Sequence, residues 1–199
     1  AAMAWMLIAK MSMWNKDWQT ALEALKKLEA IYGDLSQYSV NDIMYRNKNT
    51  AESIFEIQHA YEKGGITYAS NCASACMPYP RSADTYTYDG VDIPELGSEA
   101  TAWSPLRPTS YMKNSVMPSS VQDDRRAINM ASSYGEHKFS TTWMGPKFWC
   151  PGQYKTQDSN NYKIFRYADA VLMMSECCCE LGRYAESIEY LNKVRSRAN

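Results

Sequence analysis

Three consecutive cysteines, Cys177, Cys178 and Cys179, are the most reactive side chains that the sequence places next to one another. They lie in RYADAVLMMSECCCELGRYAESIEYL, where the spacing of the apolar residues predicts helices. Consecutive helical residues point about 100° apart, so these thiols cannot converge on one metal ion. Neighbouring cysteines also rarely form a disulfide, because its geometry is demanding. We therefore expect the triplet to pack within a helix pair.

The other cysteines offer two further kinds of chemistry. Cys72 and Cys76 lie in a segment rich in Ser and Ala that we interpret as a loop; they can form a local disulfide in an exported protein or remain free thiols. Cys150 and His137 are formally a nucleophile pair for a Cys-dependent hydrolase, but no family signature surrounds either residue. A phosphate loop, a nucleophile elbow and a zinc-binding HExxH motif are absent from the sequence. We expect no enzymatic activity, no metal site and no cofactor.

Aromatic residues in proline-punctuated loops are a stronger indication of function. Their rings can stack on the C–H faces of sugars, while sugar hydroxyls pair with Asn, Asp, Arg and backbone groups. The competing interpretation is structural, because loop aromatics often fix a long insertion to its scaffold, and Trp149 in GPKFWCPG fits that interpretation best. These aromatic residues are Tyr79, Tyr86, Tyr88, Trp103, Tyr111, Trp143, Trp149 and Tyr154.

Composition and charge exclude several classes of protein. The 199 residues are 45% hydrophobic, which is enough for a packed core, and the net charge of -1 leaves no basic surplus for binding nucleic acid or an anionic membrane. No run of roughly eighteen apolar residues predicts a transmembrane helix, and no signal peptide is recognisable. Both ends already have helical spacing and the first residue is not Met. We therefore expect the chain to be a piece of a longer protein.

Helical spacing at the two ends predicts two hairpins that resemble each other. In residues 1–33, Trp18, Leu22 and Leu25 recur at helical intervals, with Asp17 as N-cap and Gly33 as the stop. Residues 161–199 repeat the pattern, with small residues where two helices must approach closely, as in a tetratricopeptide (TPR) repeat. We expect the following apolar residues to pack on helices outside this chain: Trp5, Ile8, Leu22, Ile188 and Leu191.

The middle of the chain, residues 34–160, has a different character. It holds all eight prolines and most of the nine glycines, so it cannot continue a helical scaffold. ESIFEIQHAY predicts a strand, and a short helix is expected near SSVQDDRRAINMA. The sequence thus predicts a mainly α protein with TPR-like helical hairpins and a long irregular insertion that contains short strands.

Several segments together resemble the SusD/RagB family of outer-membrane glycan-binding lipoproteins. Their order and spacing are similar to those of the family and cover nearly the whole chain. RYAD running into a hairpin that closes with LNKVRSRA is quite specific, whereas the cysteine triplet departs from the usual apolar, alanine-rich helix. The segments are NKDWQTALEALKKL (15–28), ESIFEIQ (52–58), WSPLRPTSYM (103–112), DDRR (123–126), NYKIFRYADAVLMMSE (161–176) and GRYAESIEYLNKVRSRA (182–198).

The resemblance implies a function as well as a fold. Members capture oligosaccharides at the outer face of the outer membrane without catalysis and pass them to a SusC-like TonB-dependent transporter. They are held by a lipid anchor, which would lie outside this chain. By position in the family, Trp103 and Tyr79 correspond to ligand-stacking aromatics, and Arg81, Asn71 and Arg107 to polar partners. The alternative is a TPR-type peptide- or protein-binding module, although two non-adjacent repeats offer little continuous groove.

Overall fold

The computed structural model describes residues 1–65, 67–78, 80–82, 87–88, 91–93, 96 and 100–198. The chain divides into two compact units. Unit 1 combines both ends of the chain with a short central segment, and unit 2 contains most of the proline-rich middle. Unit 1 is Ala1–Asp42, Asn49–Glu56 and Lys163–Asn199, and unit 2 is Ile43–Lys48 and Ile57–Tyr162. The three-part division at 1–33, 34–160 and 161–199 stays a prediction.

Four long helices form two hairpins in unit 1, and the short helices lie in unit 2. This confirms the predicted mainly α fold with TPR-like hairpins. None of the helices in the described ranges is long and apolar enough to cross a bilayer. The helices are α1 Ala2–Trp14, α2 Trp18–Tyr32, α3 Cys72–Cys76, α4 Arg125–Asn129, α5 Tyr167–Glu180 and α6 Tyr184–Ser196; the single turns are 3-10 turns at Leu35–Gln37, Val40–Ile43 and Pro146–Phe148 and a π turn at Met112–Val116.

Short strands, paired two or three at a time, punctuate the irregular segment. β1 pairs with β9, β2 with β3, β7 with β8, and β4, β5 and β6 form a three-stranded sheet. The strands of the β2–β3 pair, the β4–β5–β6 sheet and the β7–β8 pair are antiparallel. The strands are β1 Ser53–Ile57, β2 Ala60–Tyr61, β3 Thr67–Tyr68, β4 Pro80–Ser82, β5 Thr87–Tyr88, β6 Val91–Asp92, β7 Met130–Tyr134, β8 His137–Met144 and β9 Tyr162–Arg166.

The ends of α2 follow from two residues in the sequence. The side chain of Asp17 accepts a hydrogen bond from the backbone N–H of Thr20 at 3.1 Å, which satisfies one of the donors left free at a helix start. Gly33 ends the helix with φ of 71°, a left-handed conformation that costs glycine little. Both predicted caps are confirmed.

The core of unit 1 lies between the two hairpins, chiefly where α2 packs on α5. Ser175 of α5 and Ser187 of α6 each donate a side-chain hydrogen bond to the other's carbonyl oxygen, both at 2.8 Å, so the two helices are joined through small residues. This agrees with the expectation that small residues mark a close helix approach. The larger buried side chains are Met6, Leu22, Leu25, Leu28, Leu35, Tyr167, Val171, Met174, Tyr190 and Val194.

Two of the three consecutive cysteines belong to this core, so the predicted packing of the triplet is confirmed for Cys177 and Cys178 but not for Cys179. Cys177 and Cys178 are fully buried in α5, whereas Cys179 is exposed, and all are free thiols. Burial raises the pKa of Cys177 to about 12 and also raises the pKa of Cys178. Both therefore remain neutral thiols at physiological pH and act as small apolar side chains.

Two of the five apolar residues expected to need helices outside the chain pack within unit 1, since Leu22 is buried and Trp5 is half-buried against the same core. Leu22 is only 3% exposed, because the hairpin that contains α5 covers it within unit 1. Ile8, Ile188 and Leu191 do remain exposed, at 41%, 57% and 40%. We define the apolar faces of unit 1 as Leu7, Ile8, Met11 and Trp14 on α1 and Tyr184, Ile188 and Leu191 on α6.

A buried carboxylate joins three elements of unit 1. Glu52, which is fully buried just before β1, forms ion pairs with Arg166 at 2.9 Å and with Arg197 at 3.0 Å. Its side chain also accepts a hydrogen bond from the N–H of Ala168, and its carbonyl accepts one from the N–H of Tyr167, in the first turn of α5. A negative charge at this position suits the helix dipole.

Unit 2 has a core of its own, and the β7–β8 hairpin is its main support. The end of β8 returns close to α4 at Gly145, whose N–H donates to the carbonyl of Asn129 at 2.8 Å. A Cβ at this position would lie 2.4 Å from the carbonyl oxygen of Ile128, so only glycine fits. The larger buried residues are Met77, Ile93, Leu96, Phe139, Trp143 and Trp149. The structural interpretation of Trp149 is thus confirmed.

Candidate functional site

The short helix α3 is the base of the candidate site, and a distant carboxylate holds its first turn. Asp158 is fully buried, and its Oδ2 accepts a hydrogen bond from the N–H of Ala73 at 2.9 Å. Its Oδ1 accepts from the N–H of Asn160 at 2.8 Å, and its backbone exchanges two hydrogen bonds with that of Ser70. Burial raises the pKa of this carboxyl, while the N–H donors of Ala73 and Asn160 act in the opposite direction. Asp158 thus caps α3 from 85 residues away.

The loop that follows Ala102 is fastened to α3 through its backbone. The N–H groups of Trp103 and Ser104 both donate to the carbonyl of Ser74, at 2.8 and 3.1 Å, and that of Leu106 donates to Ala75 at 3.1 Å. The side chain of Ser104 is buried and donates to the carbonyl of Met77 at 2.9 Å. The loop is therefore rigid even though it lacks regular secondary structure.

Trp103 projects from this rigid loop with 59% of its surface exposed. A large apolar ring that is exposed while its own backbone is fixed has little conformational entropy to lose when a ligand stacks on it. Neighbouring Leu106 is also exposed and adds apolar surface on the same loop. This arrangement suits a flat ligand with an apolar face and a polar rim.

The predicted polar partners lie around the same helix and loop but are already engaged. Asn71 is the N-cap residue of α3, and in the amide orientation that satisfies its neighbours it donates to the carbonyls of Thr156 at 2.8 Å and Ser70 at 3.0 Å. The guanidinium of Arg107 lies over the ring of Trp143, 4.3 Å from its centroid. That cation–π contact orients Arg107 while its side chain remains exposed.

The structure does not describe the side chains of two of the predicted site residues. Tyr79 lies outside the described residues, and Arg81 lies in β4, where only the backbone is described. The structure therefore brings Trp103, Asn71 and Arg107 to α3 and its attached loop. Tyr79 and Arg81 stay predictions.

The other loop aromatics divide between structural and exposed positions. Trp143 belongs to strand β8 and is buried, so its assignment to a loop was wrong; alternation along the hairpin points its ring into the core of unit 2. Tyr111 is exposed beside the π turn. Tyr154 stacks on Tyr61, with 6.3 Å between ring centroids. Tyr86 is outside the described residues, and only the backbone of Tyr88 is described.

The cysteines of unit 2 contact one another or neighbouring residues among those that the structure describes. The contacts of the Cys150 thiol among the described residues are Ser159 Oγ at 3.8 Å and the carbonyl of Pro151 at 3.6 Å, and burial raises its pKa. Cys72 and Cys76 begin and end α3 as free thiols, in a helix where the sequence suggested a loop. Their mutual hydrogen bond, followed by burial, raises the pKa of Cys72, and the same hydrogen bond lowers the pKa of Cys76.

The sequence of this chain matches the profile of a known protein family. The profile described as the SusD family, SusD_RagB, matches residues 35–199. The chain belongs to the SusD family. The matched region includes α3, the Trp103 loop and the second hairpin, so the resemblance drawn from RYAD and LNKVRSRA is confirmed.

The alignments with individual SusD-like proteins cover less than half of each relative's own length. SusD-like protein P25 of Formosa agariphila is 37% identical over 79 residues, which are 38% of this chain and 15% of that protein. Among solved structures, surface glycan-binding protein A from Bacteroides uniformis aligns with a TM-score of 0.68 and 23% identity, over 99% of this chain and 42% of its own.

Two further solved structures share the same SusD fold. A laminarin binding SusD-like protein aligns with a TM-score of 0.70 at 18% identity, over 98% of this chain and 47% of its own. Surface glycan-binding protein A from Bacteroides thetaiotaomicron, in complex with laminarihexaose, aligns at 0.63 and 21% identity, over 99% of this chain and 47% of its own. This chain thus spans less than half the length of the SusD-like proteins whose structures it matches.

Proposed function

We propose that this chain is part of a cell-surface protein that binds oligosaccharides without catalysis and delivers them to a SusC-like TonB-dependent transporter. Membership of the SusD family supports the proposal, as do the names of the glycan- and laminarin-binding relatives. Attachment to the outer membrane through a lipid anchor outside this chain belongs to the same proposal. The carrying observation in this chain is Trp103, an exposed ring on a loop fixed to α3.

The binding mode follows from the chemistry of the two partners. A pyranose ring presents axial C–H groups on one face, and burying them against an indole removes apolar surface from water. Arg107, exposed on the same loop, can donate to hydroxyl groups at the rim of the sugar. Asn71, with its amide nitrogen engaged, retains the carbonyl oxygen as an acceptor. Together with Tyr79 and Arg81, these residues form the proposed site.

Removing the Trp103 ring tests this proposal directly. In the intact protein, Trp103→Ala is expected to weaken binding of a cognate oligosaccharide by about 30-fold, corresponding to ~2 kcal/mol for the loss of a central aromatic contact. Calorimetric titration against a panel of neutral oligosaccharides that includes laminarihexaose gives the measurement. Circular dichroism and the melting temperature report whether the variant remains folded.

Trp14 provides a matched control for the tryptophan substitution. It is 90% exposed at the end of α1 in unit 1, so Trp14→Ala removes an equally large ring outside the proposed site. Glycan affinity should stay unchanged in this variant. Normal binding by folded Trp103→Ala would exclude Trp103 from the site. Absence of heat with every glycan, together with saturable heat from a peptide ligand, would favour the TPR-type binding module instead.

A further inference from the structure

A pocket of about 350 Å³ lies beside the β7–β8 hairpin in unit 2. Its apolar lining includes Leu96, Met130 and Trp149, and its polar lining includes Ser133, Arg46 and Arg126. None of the described lining residues is Trp103, Asn71 or Arg107, so the pocket differs from the proposed stacking site. Its volume is in the range of small-molecule sites and suits one sugar ring.

Arg126 enters the pocket already oriented. Its Nε donates to the carbonyl of Met117 at 3.0 Å, which fixes the plane of the guanidinium. The N–H groups on its two terminal nitrogens have no partner among the described residues. A guanidinium fixed in this way offers parallel donors that match the two oxygens of a carboxylate or a sulfate.

Asp123, which lies three residues before Arg126, pairs with a different arginine. Asp123 accepts hydrogen bonds from Nε and Nη2 of Arg125, at 2.9 and 2.7 Å. This paired donation lowers the pKa of Asp123, which therefore remains a carboxylate bound to Arg125. Arg126, the next residue, forms no ion pair with any described residue.

Arg46 adds a second positive charge from a different part of unit 2. Its side chain is exposed, and it too forms no ion pair with a described residue. The described residues that line the pocket include no carboxylate. Two cations that border one small pocket repel each other, and an anion bound between them would relieve that repulsion.

We propose that this pocket binds a sugar unit that carries a carboxylate or a sulfate ester. Arg126 holds the acidic group through its fixed guanidinium, Arg46 contributes charge from the pocket margin, and Met130 and Trp149 contact the apolar part of the ring. The inference rests on the proposed glycan capture and narrows its ligand class to acidic saccharides. It also adds a second subsite, recognised by charge, to the stacking surface at Trp103.

Single sugars test the pocket independently of oligosaccharide capture. Saturation-transfer NMR on the intact protein compares galactose, galacturonic acid and galactose 6-sulfate, which share a ring and differ in charge. At least one acidic sugar should bind about 10-fold more tightly than galactose, and the comparison of the two distinguishes carboxylate from sulfate. Raising the ionic strength should weaken this preference, because salt screens the attraction to the arginines.

Substitutions assign the preference to the arginines. Arg46→Gln combined with Arg126→Gln should abolish the preference for the acidic sugar. Arg126→Lys keeps the charge but loses the paired donors, so affinity should fall while the protein remains folded. Lys27→Gln is the matched control, since it removes an exposed positive charge from α2 in unit 1, outside the pocket lining, and should change nothing.

These experiments distinguish failure of the acidic-sugar pocket from failure of the proposed oligosaccharide capture. Equal binding of galactose and both acidic sugars, or an unchanged preference in the folded double variant, would overturn the acidic-sugar pocket while leaving neutral-glycan binding at Trp103 untouched. Conversely, an arginine-dependent acidic preference that persists in Trp103→Ala would establish the pocket. If no oligosaccharide gave heat in the calorimetric panel, glycan capture would fail on its own test.

Discussion

Asp158 shows how one side chain can determine the position of a site that it does not line. It caps α3 and also pairs with the backbone of Ser70, so the helix that holds the Trp103 loop depends on it. The carboxylate is fully buried, and burial raises its pKa above the ordinary value. The hydrogen bonds that it accepts are therefore more important for stability than its charge.

We expect Asp158→Ala to lower the free energy of unfolding by about 1–3 kcal/mol, because the N–H groups of Ala73 and Asn160 lose their acceptor in the interior. Asp158→Asn keeps one acceptor oxygen and carries no charge, so its loss should be smaller. Urea denaturation of both variants measures the difference. Equal stability of the alanine variant and the wild type would show that α3 does not need this cap.

The same residue makes stability depend on pH with a defined sign. A carboxyl whose pKa is raised in the folded state binds its proton more tightly there than in the unfolded chain. Its contribution is therefore most favourable below the unfolded value near 4 and declines as the pH rises through the raised folded value. Relative to Asp158→Asn, the wild type should lose stability as the pH rises across this window. A difference between the two that is independent of pH would contradict this.

The cysteine triplet gives a prediction about reactivity. Cys179 is exposed, whereas Cys177 and Cys178 are buried and Cys177 has its pKa raised to about 12. A thiol reagent at pH 8 should therefore modify Cys179 rapidly, and the other two only when the protein opens. Replacing Cys179 by Ser should remove the fast reaction from this helix, as mass spectrometry of the labelled peptides would show. Rapid labelling of Cys178 in the folded protein would mean that α5 is not packed as described.

The role of an individual residue could be predicted from the sequence only where the residue acts on its near neighbours in the chain. Asp17 and Gly33 act within one helical turn, so their types and positions were sufficient to predict both caps. Asp158 and Ala73 are 85 residues apart, and nothing near either residue indicates the other. The sequence indicated Arg126 only as part of the DDRR segment (123–126), because its position with Arg46 around one pocket depends on tertiary structure.

At the scale of elements, Glu52 joins parts of the chain that are far apart in sequence. Its side chain contacts the start of α5, Arg166 at the end of β9, and Arg197 just after α6. A buried charge with several partners is costly to disturb, because removing it leaves the remaining charges without compensation. The junction therefore fixes how the second hairpin is attached to β1.

We expect Glu52→Gln to lower the free energy of unfolding by about 3–5 kcal/mol, since two arginines lose their buried counter-charge. Glu23→Gln removes a carboxylate that is exposed on α2, where it accepts a hydrogen bond from the side chain of Gln19, and should cost less than about 0.5 kcal/mol. Chemical denaturation of both variants provides the comparison. Similar losses in the two would show that burial of Glu52 adds nothing.

The hairpins were predictable as elements, but the strands of the insertion were only partly so. In α2 and α6 the helical spacing of apolar residues extends over several turns, so one residue that departs from the pattern does not change the prediction. ESIFEIQHAY yielded β1, yet within it Glu56 is buried and Ile57 is exposed, against simple alternation of polarity. The reason is that Lys163 of β9 pairs with Glu56 at 2.8 Å inside the protein, and the sequence of β1 does not specify that partner.

At the scale of the molecule, unit 1 leaves apolar surface on both of its hairpins. Leu7, Ile8, Met11 and Trp14 follow one another at helical spacing along one side of α1. Monomeric proteins rarely leave a continuous apolar surface of this kind uncovered. A protein that contains only these 199 residues is thus expected to associate with itself.

We predict that the 199-residue chain forms oligomers whose proportion rises with concentration, and that Ile8→Lys with Met11→Lys reduces them. Light scattering after size-exclusion chromatography measures the mass. Val121→Lys is the control, because Val121 is an exposed apolar residue of unit 2 and its replacement should leave association unchanged. A monomer that unfolds cooperatively without the lysines would contradict the prediction.

The fold of the whole molecule was predicted mainly by family resemblance, since TPR-like periodicity alone does not specify what lies between two hairpins. Leu22 illustrates the limit. The repeat pattern identified it correctly as apolar and inward-facing, but could not tell that the partner helix lies within this chain. The stacking site at Trp103 remains a proposal based on its position in the family, whereas the rigidity of its loop depends on hydrogen bonds to α3 that no local pattern indicates.

Gly145 also has a consequence for how relatives can diverge. Its φ is -82°, an angle that any residue adopts, so the position is restricted by lack of space and not by chirality. A saturation library at this position should therefore reject alanine as firmly as bulky residues, whatever glycan is used for selection. A descendant that acquired a side chain here would first have to move β8 away from α4, and with it Pro146, which lines the pocket beside Arg46 and Arg126. Any substitution of Gly145 is thus expected to change the shape of the pocket, because the clash can be relieved only by moving a segment that lines it.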